Sequence, residues 1–158
     1  MYNLIKGDKM AKYKVEDIAN WILKYNRNLR EISNEDTDEI SNLKLQKLLY
    51  YAQGAYLAMR GEKLFDDEIV AWTHGPVIEE MYNKYKKYGA SGITEFDEDV
   101  ELDNETLDVI VAMYDVFGKY SAWGLRNLTH KETPWKETKR GEVIDTYKIK
   151  KYFEENYI

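Results

Sequence analysis

The chain has 158 residues, 44% hydrophobic and 33% charged, which is long enough for one domain with a real core and excludes a wholly disordered polymer. It has no cysteine, which excludes disulfides, thiolate metal sites and cysteine nucleophiles and fits a reducing cytoplasm. The net charge is −6, no apolar run approaches the ~18 residues of a membrane span, and the N-terminus lacks a long apolar signal region, so a cytoplasmic protein is expected.

In chain order, Met10-Ala11-Lys12 resembles a second start, so residues 1–9 are expected to be an extension, with 10–158 as a single domain. Residues 15–29 place Val15, Ile18, Ala19, Ile22 and Tyr25 on one face and predict a first helix. Polar residues 33–39 form a loop. Ser41 then offers a cap for a long helix over 42–60, which Gly61 closes.

This second helix is apolar on two faces. Leu45, Leu48, Leu49, Ala52, Ala55, Tyr56 and Met59 make one stripe; Leu43, Tyr50, Gly54 and Leu57 make the other. Such a helix is normally buried between other elements, so it is expected at the centre of the fold. Glycine at position 54 costs about 1 kcal/mol against alanine in mid-helix, which points to close approach of another backbone.

Residues 62–72 read as a short extended segment. In the stretch WTHGPVIEEMY, residues 72–82, Pro76 suits the first position of a helix, where its missing N–H would have no partner. Thr73-His74-Gly75-Pro76 is therefore expected to be a helix-entry turn, and His74 a structural residue rather than a catalytic one. The helix it opens ends at Gly89. A fourth helix is predicted over 105–120. Ser121 caps a short fifth, Pro134 then blocks continuation at a turn while Trp135 anchors into the core, and Asp145 caps the last helix. About six helices and one short extended piece describe an all-α domain around helix 42–60.

No zinc-protease, phosphate-loop, dinucleotide or nucleophile-elbow motif occurs. His74, His130 and Glu132 have no metal-ligand spacing, so no metal, cofactor or catalytic residue is expected. Lys136, Lys139, Arg140, Lys148, Lys150 and Lys151 form a basic C-terminal run, but the negative net charge and lack of a reading helix weigh against nucleic-acid binding. Residues 88–118 carry no basic side chain and many acids, which reads as a solvated acidic loop, with imitation of nucleic acid as the competing role. The 14 tyrosines suit both cores and partner surfaces. Tyr51, Tyr88, Tyr147 and Tyr152 are the candidate partner-binding residues.

The stretches KLQKLLYYAQG, AWTHGPVIEEMY and THKETPW, in that order, resemble the Panacea-domain antitoxins, the SocA-like and GepA-like phage-associated proteins. The resemblance runs over about 15–153; residues 1–9 and the acidic loop 95–105 are not covered by it. It implies a bacterial or phage protein that neutralises a co-encoded toxin by binding it, and in the SocA type also delivers it to a AAA+ protease as an adaptor. A homo-oligomer is a further arrangement open to it; no membrane partner is expected. The matched residues Leu45, Lys47, Leu48, Leu49, Tyr50, Gly54, Trp72, Gly75, Pro76, Tyr82, Pro134 and Trp135 read as core, turn and cap residues that identify the fold rather than the contact surface.

Overall fold

The computed structural model describes residues 10–33 and 38–158, so the expected extension 1–9 and part of the first loop, 34–37, lie outside the described residues. Helix α1 (Val15–Ile32) buries Val15, Ile18, Ala19, Ile22 and Leu23, the face that the spacing predicts. Helix α2 (Asn42–Arg60) begins at Ser41, whose hydroxyl accepts from the Lys44 N–H at 3.3 Å. It ends at Gly61, in the left-handed region at φ 74°.

Every residue of α2 from Lys44 to Ala55 is buried. Helices α4 (Asn104–Phe117), α5 (Ala122–Thr129) and α7 (Thr146–Asn156) pack around it. The expected central helix is therefore the observed one. Gly54 is indeed at a close approach, but to a side chain rather than a backbone: a Cβ there would run into the Phe153 ring of α7.

The polar residues of α2 are also inside, because each fastens a backbone group of a neighbouring loop, strand or helix end. Gln53 donates to the Phe65 carbonyl at 2.8 Å and accepts from the Leu64 N–H at 2.7 Å. Gln46 accepts from the Ile78 N–H at 3.0 Å, and Asn42 donates to the Tyr82 carbonyl at 3.0 Å. Lys44 donates to the Gly118 carbonyl at the end of α4 at 2.6 Å. Such pairing removes the cost of orphaned buried backbone groups.

Two sequence expectations change at residues 70–77. Val70–Trp72 (β1) and Gly75–Val77 (β2) form an antiparallel hairpin, with Ala71 opposite Pro76. Thr73-His74 is thus a hairpin turn, not a helix entry. Pro76 lies in a strand, and helix α3 (Glu79–Tyr85) starts after it without a side-chain cap. Proline is tolerated because β2 is an edge strand, and Gly75 is required at φ 110°. The other edge of β1 is covered by residues 141–144: Ala71 N–H donates to the Glu142 carbonyl at 2.9 Å, and Ile144 N–H to the Ile69 carbonyl at 2.8 Å.

A 3-10 turn (Lys86–Tyr88) follows α3. The acidic stretch then lies along α1. Arg27 pairs with Glu98, Val100 and Leu102 are buried, and Asp103 caps α4 through the Thr106 N–H at 2.8 Å while pairing with Lys12. At Pro134 the chain forms a short helix α6 (Thr133–Lys136) with proline in its first turn, where a plain turn was expected; Trp135 is anchored in the core as predicted. Asp145 caps α7 as expected, accepting from the Tyr147 N–H at 3.0 Å. Seven α-helices and one two-stranded hairpin make up the described residues, around one hydrophobic cluster that reaches from Val15 to Phe153. No helix among the described residues is long and apolar enough to cross a membrane.

Candidate functional site

The start of α2, the β-hairpin and the turn after α3 leave a half-open cleft of about 640 Å³ between them. Leu43, Trp72, Val77, Tyr82 and Ala90 give it an apolar lining, and His74, Lys86 and Arg140 add polar groups. Trp72 is set edge-on to Tyr82 at 4.9 Å between ring centroids, and its indole N–H donates to Glu79 at 3.2 Å. The hairpin turn presents His74, whose Nδ1 accepts from Arg126 Nε at 3.0 Å. The Arg126 guanidinium in turn lies 4.3 Å from the ring centroid of Trp123. Trp123 is 53% exposed, an unusual position for the largest apolar side chain. The cleft and this aromatic and cationic ledge are continuous through His74.

Behind the cleft, Trp135 donates to the Trp72 carbonyl at 2.7 Å, with His130 stacked on its ring at 3.8 Å and Arg140 over it at 3.5 Å. Lys47 is fully buried under the hairpin and donates to the Pro76 carbonyl at 2.9 Å. Burial, then the charge of Arg126, pushes its amine down to about 7. His130 is pushed down in the same way, by burial first and then by Arg126.

Glu132 has a different setting. It is 1% exposed and accepts hydrogen bonds from three phenols, Tyr50 at 3.3 Å, Tyr51 at 3.0 Å, and Tyr157. Burial nevertheless dominates the three donors and raises its carboxyl to about 7. The two histidines and Glu132 each serve different neighbours, and no group of three or more His, Cys, Asp or Glu among the described residues is arranged to hold a metal ion.

The sequence-derived partner residues are scattered. Tyr51, expected on a partner surface, is fully buried, stacked on Phe117 at 3.9 Å, and unavailable to a partner in this fold. Tyr88 is half-buried beside the acidic stretch, where its hydroxyl accepts from the Glu95 N–H at 3.1 Å. Tyr147 and Tyr152 line a separate cleft of about 380 Å³ along α7. Of the motif residues, Leu45, Lys47, Leu48, Leu49, Tyr50, Gly54, Gly75, Pro76, Pro134 and Trp135 are buried, whereas Trp72 and Tyr82 are half-buried and face the cleft. The ledge residue Trp123 escaped the sequence reading. Its signal was in α5, where Leu125 and Leu128 define the inward stripe and leave the tryptophan off it.

The chain is thus a mostly helical domain whose signature residues pack a buried central helix, with a clamped hairpin beside it. The family model for antitoxin SocA-like proteins with a Panacea domain matches residues 45–136, more than half of the chain, and the chain belongs to that family. Antitoxin SocA of Caulobacter vibrioides (strain NA1000 / CB15N) is 44% identical over 50 residues. That alignment covers 32% of this chain and 27% of the relative, so the chain spans under a third of the length of the curated protein it matches. No solved structure matches the chain.

Proposed function

We propose that this chain is the antitoxin of a toxin–antitoxin pair and neutralises its co-encoded protein toxin by direct binding, without chemistry of its own. The observation that carries the reading is the family match over α2, the hairpin and α5. The structure supports it in a second way. Buried polar side chains are spent on the fold: Lys47 and Gln46 clamp the hairpin, and Glu132 is closed over by tyrosines. What remains outward is an apolar cleft and an exposed tryptophan, features of a contact surface. The proposal includes the adaptor role, in which the bound toxin passes to a AAA+ protease.

The test is co-expression with the neighbouring open reading frame. That frame, induced alone, is expected to arrest growth, and this protein to restore it and to co-purify with the toxin. A shortened toxin half-life on co-expression, lost in a protease-deficient host, would support the adaptor role. A harmless neighbour, or growth arrest that this protein does not relieve, would overturn the antitoxin reading.

A further inference from the structure

We propose that the cleft beside the hairpin, together with the Trp123 ledge, is the docking site for an acidic segment of the toxin that carries an aromatic or large apolar anchor. The inference rests on the antitoxin reading and names the surface and the chemistry of what it takes.

Three observations converge on that occupant. The cleft has an apolar lining of Leu43, Trp72, Val77 and Ala90, so it is suited to an uncharged anchor. Its surroundings are cationic in a chain that is acidic overall, at −6. Four of the chain's cations are taken up by ion pairs: Lys12 with Asp103, Arg27 with Glu98, Lys84 with Glu16 and Lys150 with Glu154. Lys86, Arg126 and Arg140 have no carboxylate within ion-pair distance among the described residues. Glu79, the acid that reaches Trp72, is already engaged by the indole N–H.

The two arginines are also held in place before any partner arrives. Arg126 is oriented by His74, Asn127 and the Trp123 ring; Arg140 is oriented by the Trp135 carbonyl and ring. Pre-ordered guanidinium groups lose less freedom on pairing with a carboxylate than mobile ones do. An apolar pocket with a fixed cationic rim selects an acidic peptide with an anchor. A nucleic-acid strand would meet the same cations, but a cleft too apolar for its backbone.

Ala90 is exposed at the cleft wall and Lys86 at its edge, so both can be changed without opening the core. Ala90→Tyr should fill the cleft, and Lys86→Glu should reverse its edge. Each is expected to keep the wild-type melting temperature and to weaken toxin binding about tenfold or more, the level of a good interface anchor. Lys148→Glu, exposed on α7, should bind as wild type does. If the wild-type protein neutralises the toxin and Ala90→Tyr and Lys86→Glu neutralise it equally well, the docking proposal is overturned while the antitoxin reading stands. If the wild type neutralises nothing, the antitoxin reading falls, and the cleft is judged by a fluorescent peptide with one tryptophan among glutamates. Binding of that peptide, lost in Ala90→Tyr and absent for its lysine counterpart, keeps the cleft. No binding, or equal competition by single-stranded DNA of the same charge, overturns it.

Discussion

Glu132 is a carboxyl group placed where water does not reach, and its consequences are measurable. Its folded value of about 7 lies above the ~4.3 of an unfolded glutamate, so the native state keeps a proton that the unfolded chain releases. Stability from this group is therefore full below about pH 4 and is lost as pH rises through about 7. Asp103 and Glu98 act in the other direction: Lys12 and Arg27 hold them below the usual carboxylate range, so their contribution is lost on acidification. Those two terms are common to the wild type and to Glu132→Gln, and they cancel in the difference. Glu132→Gln is expected to gain roughly 2–4 kcal/mol on the wild type between pH 4.5 and pH 8, the size of a two- to three-unit shift. Urea unfolding of both proteins at the two pH values measures it. A difference that does not change with pH would mean that the carboxylate is satisfied as an anion by its three tyrosines.

At the scale of elements, α2 and α7 meet without a gap, and Gly54 shows it. Alanine for glycine in mid-helix ordinarily stabilises by about 1 kcal/mol. At position 54 the new methyl group would enter the ring of Phe153, which is 1% exposed and set edge-on to Tyr50 at 5.6 Å. Gly54→Ala is therefore expected to destabilise by about 1–3 kcal/mol, as overpacking does. Adding Phe153→Leu should cost less in the Gly54→Ala background than in the wild type, because the pair shares one space. A higher melting temperature for Gly54→Ala alone would contradict this packing. The elements themselves were largely legible: helical period located α1, α2, α4 and α7, and Ser41, Ser121 and Asp145 all cap where their side chains suggested. The hairpin was not, because Gly-Pro after two turn residues is compatible with a helix start. What decides between them is Lys47 reaching the Pro76 carbonyl and Gln46 reaching Ile78 N–H, long-range bonds that no local pattern reports. The candidate cleft was hidden for the same reason, since it exists only once the hairpin turns His74 toward Arg126 and Trp123.

Over the whole molecule, the question left by the charge pattern is whether the acidic stretch or the cationic cleft meets the partner. The density of acids at residues 95–108 is plain in the sequence, but what the stretch is fastened to is not. Glu98 is held by Arg27, Val100 and Leu102 are buried, and Asp103 is occupied as a helix cap and by Lys12. Asp97, Asp99 and Glu101 remain exposed at its middle, with Glu95, Glu105 and Asp108 exposed on either side. A surface imitating nucleic acid would bind its partner with those three at its centre, and its affinity would fall steeply as salt screens them. The fastening of this stretch to α1 and α4 instead gives it a structural task, while Arg126 and Arg140 lie at the hairpin and its flank. Asp97→Asn, Asp99→Asn and Glu101→Gln combined are thus expected to leave the melting temperature and toxin rescue unchanged. Partner affinity, measured by titration calorimetry, should stay within about twofold, well under the tenfold per ~1.4 kcal/mol that losing an anchor would cost. Abolished binding in the folded triple variant would transfer the interface to the acidic stretch and restore the mimic reading.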